Sequence, residues 1–588
     1  MKNFKQIFKE ANNKISGIAA APGIVIGNVY LFTKEKLDIN DSAIADTGEA
    51  ILNFEEALQK SKKELDKIFS IAKEKMEANR AAIFEAQLMI LEDPILIGSI
   101  KDRICKEKKQ PEYIVNDEIS KYQHLMIISH EQYMNERAND IEDIKNRIIR
   151  NLQKKRWQSK ITHDVIVVSD SLTPADTILL SRSNVKGFVT DHGGLTSHTA
   201  IISRSLDIPA VVGTHNATKQ IKEDDLIIVD GFHGYVIVKP TQAQIDFFHA
   251  KAERLAELQQ GLKELKDQPA QTTDGKEIIL RANVDVSGEI ELVITSGAKG
   301  IGLYRTEQIL EELGEFPNES EQTKMYEKLA TRIYPDPIII RAFDIGGDKF
   351  KFLSFTEPNP FLGLRGIRLL LENEKLFKTQ IRAVLQASKT KNIQFMLPMI
   401  SSITEIRQSL SIISACKEEL KNAKIPFDKH MKLGIMIEVP SAAVLTYELA
   451  SEVDFISIGT NDLIQYLMAV DRGNDLVSNL YQEFHPAVIR TLSHILKEAA
   501  RANRSASLCG EMAADTLAIP LLIGLGLQIL SISPTTIPYA KRIVRSISYQ
   551  KAKNLADECL LCETEKEVTD RLEKFFNENS ITRTRNII

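Results

Sequence analysis

Between residues 193 and 201 the chain reads G-G-L-T-S-H-T-A-I, which sets one imidazole beside two hydroxyl side chains and just after two glycines. Gly193 and Gly194 permit a sharp turn, Thr196 or Ser197 can cap the apolar helix that follows, and His198 then stands at that helix's N-terminus. Exposed backbone N–H groups and the helix dipole favour an anion there, so a nucleophilic imidazole at this point is suited to carrying a phosphoryl group. The plainer reading is a histidine that caps or packs. Asp191 and His192, just upstream, could orient the ring or be ordinary loop residues.

A second set of reactive side chains closes successive β-like runs in the C-terminal half: Asn283, Arg305, Arg341, Asp344, Glu438, Asn461, Asp462, Cys509 and Glu511. Arginines in pairs with acids at several strand ends suit a dianionic ligand and a divalent cation meeting in one mouth, because a guanidinium fork matches two oxygens and carboxylates take a hard cation.

The elements that must hold these residues follow from periodicity. Eight β-like runs, at about 278–285, 300–307, 337–344, 393–400, 433–439, 455–460, 505–510 and 528–533, mostly alternate with helical patterns. That count predicts a closed parallel (β/α)8 barrel with its site at the strands' C-terminal ends, the alternative being an open doubly wound sheet. Upstream, the runs at 163–240 with helical segments between some of them read as a compact α/β unit, joined by the early β segment at 15–32. Residues 50–155, rich in Glu, Lys, Ala, Leu and Ile at helical spacing, read as a helical bundle inserted into that unit.

Composition bounds the rest. The 588 residues carry 75 Lys+Arg against 80 Asp+Glu, a formal charge of -5, so no global basic footprint points to nucleic acid or an anionic membrane. Five scattered cysteines argue against a disulfide framework and for a reducing, cytoplasmic setting. The longest apolar run, 519–532, is interrupted by Pro520, Gly524, Gly526 and Gln528, so no membrane insertion is expected; nor does the N-terminus read as a secretory leader. Cys559 and Cys562 form a C-x-x-C with no second pair, a weak zinc signal.

The segment G-G-L-T-S-H-T-A-I, followed by R-S-L-D-I-P-A-V-V-G-T, resembles the phosphohistidine motif of the phosphoenolpyruvate-utilising enzymes. G-I-G-L-Y-R-T-E (300–307), R-A-F-D-I-G-G-D-K (341–349), N-P-F-L-G-L-R-G-I-R (359–368), G-I-M-I-E-V-P-S-A-A (434–443), F-I-S-I-G-T-N-D-L-I-Q-Y (455–466), A-V-D-R-G-N-D (469–475) and C-G-E-M-A (509–513) extend the resemblance to the enzyme I family of the bacterial sugar phosphotransferase system. That resemblance implies an α/β multidomain chain: a phosphohistidine domain (1–35 and 156–240), a helical carrier-binding insertion (36–155), a helical linker (241–270) and a (β/α)8 domain (271–588) that binds phosphoenolpyruvate and makes a homodimer.

It further implies that phosphoenolpyruvate phosphorylates His198, which passes the group to a histidine of the small phosphocarrier protein HPr and releases pyruvate. Arg305, Arg341 and Arg472 match the substrate arginines, Arg365 a further phosphate contact, Asn461 and Asp462 substrate contacts, Glu438 and Asp462 the Mg²⁺ ligands, and Cys509 the acid that protonates the enolate. Acids such as Glu85, Glu92 and Asp93 are candidates for steering the carrier. Leu195, where the family commonly has Arg, and Gln308, where it has Phe, depart from the pattern, with altered phosphohistidine stabilisation and barrel packing the expected consequences. The rival readings are a regulatory protein of the same fold that binds phosphoenolpyruvate or the carrier without turnover, and a plain barrel lyase, which leaves the N-terminal half unexplained.

Overall fold

The early β segment and the runs at 163–240 assemble into one eight-stranded mixed sheet. Its strands are β1 (Lys14–Ser16), β2 (Ile18–Ala21), β3 (Ile24–Phe32), β4 (Val165–Ser169), β5 (Val185–Thr190), β6 (Ala210–Val212), β7 (Leu226–Asp230) and β8 (Tyr235–Val238), in the order β1-β8-β7-β3-β4-β5-β6-β2. β4 is buried along its whole length, as expected for a β-branched strand covered on both faces. Strand β3 pairs parallel with β4 and antiparallel with β7, so residues 24–32 are bound into the sheet across some 130 intervening residues. The computed structural model describes residues 13–33, 37–75, 78–127, 132–155, 161–194, 197–285, 289–313, 316–346, 357, 359–472, 474, 476–579 and 581.

Those intervening residues supply long helices at Thr47–Lys75, Ala78–Leu91, Pro94–Glu107, Pro111–Ile127 and Gln132–Leu152. Their apolar faces meet in a core built around Phe54, Leu65, Ile100, Ile114 and Ile148. The same core takes in Ile178 and Ile202, from the short helices Pro174–Ser181 and His198–Ser205, so the bundle and the helix that begins with His198 are packed as one body. Helix Gln242–Glu264 follows the sheet, and the chain divides into two units inside it, between Ala256 and Glu257.

The second unit is a closed parallel barrel of β9 (Ile279–Val284), β10 (Ile301–Tyr304), β11 (Ile338–Arg341), β12 (Ile393–Leu397), β13 (Leu433–Ile437), β14 (Phe455–Gly459), β15 (Ser505–Cys509) and β16 (Ile529–Ile532), with β16 closing onto β9. Side chains alternate along each strand. In β11, Ile338 and Ile340 join the core under the surrounding helices, while Ile339 joins an inner cluster with Leu303, Met396, Met436, Phe455 and Cys509. The same period sends Arg341 inward at the strand's C-terminal end.

In the sheet unit, the loop after β5 is fixed by Asp191. Its carboxylate accepts from Thr214 Oγ1 at 2.8 Å, the Ala217 amide at 2.5 Å, and both the amide and hydroxyl of Thr218. Burial works against the charge, but these donors hold the carboxyl below its usual range. Such a group stabilises the fold above the unfolded carboxylate value of about 4, and that contribution fades as pH falls through the lower folded value. Asp191→Ala should therefore cost about 2 kcal/mol at pH 7, with the difference from the parent shrinking below pH 4 in chemical unfolding curves.

Candidate active site

His198 is the first residue of helix His198–Ser205, and Ser197 is its N-cap, with Oγ accepting from the Ala200 amide at 3.4 Å. Gly193, at φ +125°, makes the preceding turn; a Cβ there would come within 3.1 Å of Ser197 Oγ, crowding the cap. The imidazole is half-buried. Asp191 and His192 do not orient it. Asp191 is committed to the 214–218 turn, where a carboxylate satisfies the amides that begin a short helix, and His192 is exposed with its Nε2 3.4 Å from Asp170. Leu195 and Thr196 lie outside the described residues.

At the C-terminal ends of the barrel strands, a cavity of about 500 Å³ is lined by Asn283, Arg305, Arg341, Asp344, Arg365, Glu438, Asn461, Asp462, Arg472, Cys509 and Glu511. All the barrel residues singled out in the sequence thus reach one mouth. Two glycines make the space: a Cβ on Gly459 would meet Glu438 Oε2 at 2.8 Å, and one on Gly510, at φ +137°, would meet Thr460 Oγ1 at 2.2 Å.

The floor is a lattice of alternating charge. Arg365 forks across two acids, with Nη2 on Asp344 Oδ2 at 2.9 Å, Nε on Asp344 Oδ1 at 3.2 Å and Nη1 on Asp462 Oδ1 at 3.1 Å. Arg341, 6% exposed, bonds Glu307 and lies 3.2 Å from Asp344. Burial alone would lower both guanidinium pKa values, but the carboxylates around them, led by Glu307 at Arg341 and Asp344 at Arg365, raise them, so both remain cationic. Arg341 and Glu307 line the cavity, and Arg341 Nε and Glu307 Oε2 are buried with no hydrogen-bond partner among the described residues.

Glu438, 1% exposed, accepts from the Met399 amide at 2.6 Å. Burial and the neighbouring Asp462 and Asp344 push its carboxyl up to about 8. Cys509 is packed at the cavity wall with Sγ 3.3 Å from Ser457 Oγ; burial pushes its thiol pKa up and the serine contact pulls it partly back. At the rim, Arg305 Nη1 is shared between the two oxygens of Asp285 at 3.0 and 3.1 Å, while Asn461 and Arg472 share Glu511 at 3.3 and 3.4 Å. The more exposed arginines are the ones held by more exposed acids.

Sequence reasoning left Glu307, Asp285 and Ser457 without roles. Glu307 was legible as the end of G-I-G-L-Y-R-T-E, whereas Asp285 and Ser457 carry no signal until the barrel closes. Gln308 lines the cavity, so the departure there changes the mouth itself as well as its packing. Of the acids considered for carrier steering, Asp93 caps helix Pro94–Glu107 and Glu92 pairs with Lys62, which leaves Glu85 exposed. Cys559 and Cys562 are buried free thiols, and burial pushes Cys559 up to about 12, so the C-x-x-C is a packing feature.

A (β/α)8 barrel with an arginine-rich, carboxylate-braced mouth is the class of fold that receives a small, multiply charged anion. Three family descriptions match the chain in order: PEP-utilising enzyme, N-terminal, over 16–137; mobile domain, over 161–234; and PEP-binding domain, over 259–549. A phosphoenolpyruvate-protein phosphotransferase of Staphylococcus carnosus is 39% identical over 566 residues, 96% of this chain and 99% of that protein. One from Mycoplasma capricolum is 39% identical over 570 residues, again 96% and 99%. A solution structure described as Enzyme I is 41% identical, covering 41% of this chain and 99% of its own, with a TM-score of 0.37. The chain belongs to the phosphoenolpyruvate-protein phosphotransferase family of PEP-utilising enzymes.

Because Arg365 neutralises Asp344 and Asp462 together, Arg365→Leu leaves the largely buried Asp462 without its cation and Asp344 with Arg341 alone. Thermal and urea unfolding should show a loss of about 3–5 kcal/mol, with Arg365→Lys retaining part of it through charge without the fork.

Proposed function

We propose that this chain transfers the phosphoryl group of phosphoenolpyruvate to His198 and from there to a histidine of HPr, releasing pyruvate, as the first step of a sugar phosphotransferase system. The observation that carries this reading is the convergence of Arg305, Arg341, Arg365 and Arg472 with Glu438, Asp462 and Cys509 on one cavity, in a chain that matches the family over nearly its full length.

Phosphoryl transfer asks for positioning and for neutralisation of charge spread over the phosphoryl oxygens, and little covalent work from the protein. Arg341 and Arg365 are fixed by their acids, so their charge stands at the cavity wall before the donor arrives; the N–H groups of Arg365 are engaged by Asp344, Asp462 and Tyr466, and oxygens of the donor would share or exchange those bonds. Arg305 and Arg472 close the rim, and Asn461 adds a polar contact from the first turn of helix Thr460–Met468. As an imidazole nitrogen of His198 bonds to phosphorus, the bond from phosphorus to the enol oxygen breaks and leaves the enolate of pyruvate. Cys509 is the acid: burial keeps its thiol protonated near neutrality, so its proton is available to the enolate carbon. The imidazole must reach this cavity in one stage and the carrier in the other. The 241–270 segment between the expected domains contains the single helix Gln242–Glu264, the stretch whose flexibility this requires.

Mg²⁺ fits the acids present. Glu438 is a buried carboxyl driven up by two neighbouring acids, which is the signature of a place short of positive charge. Among the described residues no group of three or more His, Cys, Asp or Glu is placed to hold a metal, so Glu438 and Asp462 would hold it together with substrate oxygens and water, as Mg²⁺ prefers. When bound, the cation supplies further neutralisation of the donor's oxygens. Dimerisation through the barrel unit is what the family membership implies, and that unit leaves Val444, Leu445, Leu476 and Leu480 exposed. A cytoplasmic setting is in keeping with the free cysteines, and no described helix is long and apolar enough to cross a membrane.

Incubation with ³²P-labelled phosphoenolpyruvate and Mg²⁺ should give one acid-labile, base-stable label that is lost in His198→Ala; label surviving that substitution contradicts the assignment. Glu438 adds a pH signature. Below about 8 its carboxyl is protonated in the metal-free protein, so Mg²⁺ must displace that proton. Affinity should rise roughly tenfold per pH unit up to that value and level off above it. Calorimetric titration in buffers of different ionisation enthalpy should show the released proton, and Glu438→Gln should abolish it.

A further inference from the structure

A chain of buried polar side chains runs from the helix layer of the barrel to the main chain of Arg341. Gln322, Tyr326, Gln380 and Thr306 are all fully buried. Gln322 Nε2 donates to the Pro317 carbonyl at 2.8 Å, and Tyr326 Oη donates to Gln322 Oε1 at 3.2 Å. Gln380 Nε2 donates to Thr306 Oγ1 at 3.2 Å and to Tyr326 Oη at 3.5 Å; Thr306 Oγ1 donates to the Arg341 carbonyl at 3.0 Å; and the Phe343 amide donates to Gln380 Oε1 at 3.0 Å. Each hydrogen has one place to go. The threonine and tyrosine hydroxyls spend their single protons on Arg341 O and Gln322 Oε1, so both must accept from Gln380 Nε2, which turns Gln380 Oε1 toward the Phe343 amide.

The location gives this network its meaning. The Ala342 amide still bonds Met396 O in continuation of β11, but by Phe343 the backbone has left the ladder and begins the segment that carries Asp344. Thr306, the residue after Arg305, therefore grips the carbonyl of Arg341 itself, while Gln380 grips the amide of Phe343 two residues on. The two grips bracket Ala342: just before them the Arg341 Cα sends its guanidinium to the cavity, and just after them comes Asp344, which braces both Arg341 and Arg365. A shift of about 1 Å in such a segment is enough to misplace a preorganised charge.

We propose that Gln380 and Thr306 are positioning residues for Arg341, fixing through the backbone the place where its guanidinium meets the phosphoenolpyruvate anion. The proposal rests on the reading of Arg341 as a substrate arginine. The test measures KM for phosphoenolpyruvate and kcat for Mg²⁺-dependent pyruvate formation with HPr as acceptor, using the full chain, alongside thermal unfolding. Gln380→Leu and the milder Thr306→Val should each raise KM about tenfold with a smaller change in kcat, while the folded fraction stays near that of the parent at the assay temperature. Because both residues act through one chain, the double variant should be little worse than Gln380→Leu alone. Gln380→Glu, which keeps an acceptor for the Phe343 amide, should recover part of the KM. Folded variants with parental KM, while Arg341→Lys raises KM, would overturn the positioning role. An effect confined to the amount of folded protein would do the same. If Arg341→Lys itself left KM unchanged, the substrate-site reading would fall and this proposal with it.

Discussion

The barrel mouth depends on Arg365 and the two acids it joins. Asp344 comes from the segment after β11 and Asp462 from the first turn of the helix after β14, on different sides of the barrel, and Arg365 holds them with a single planar group. Without that guanidinium the two carboxylates, with Glu438 between their strands, would repel one another in a poorly hydrated space, where charge interactions are strong. With it, Asp344 is free to brace Arg341 as well, and a buried arginine keeps its charge in a place where burial alone opposes it.

The bracing sets a gradient. The deeper arginines are fixed by buried acids and the rim arginines by exposed ones, so the floor is rigid and the entrance can adjust. Glu438 is the exception, a carboxyl that accepts the Met399 amide but, among the described residues, has no cation in direct contact, Arg341 and Arg365 acting on it only from a distance. An acid short of positive charge, in a cavity whose lining has more carboxylates than arginines, is what a metal and a polyanionic substrate, arriving together, would complete. The neutral thiol of Cys509 completes the wall, its proton retained by the same burial that sharpens the charges around it.

Much of this was legible in the sequence. Eight β runs with polar residues at their C-terminal ends are enough to predict a parallel barrel and to gather Arg305, Arg341, Glu438, Asp462 and Cys509 in one mouth, because period-two alternation sends every second side chain inward. The histidine's place at a helix start was legible from Gly193 and Ser197. What the sequence could not show was the partner of each charge. Asp191 looked available to His198 and is instead taken up by the 214–218 turn, more than 20 residues away. Glu307 was legible within its motif but not as the partner of Arg341, and Asp285 carries no signal until the strands close. Thr306 lay within a quoted motif but without a partner, and Gln380 gives no signal, since a polar residue on helix Glu374–Ala387 becomes meaningful only when its hydrogen-bond partner, 74 residues away, is known.

The most direct test of the account is isotope exchange between ¹⁴C-pyruvate and phosphoenolpyruvate in the presence of Mg²⁺ and the full chain, without any acceptor protein. The arginine-lined cavity acting with His198 predicts label appearing in phosphoenolpyruvate, and its disappearance in Arg341→Leu. Absence of exchange in the parent protein, or exchange that continues at the parental rate after that substitution, would contradict it.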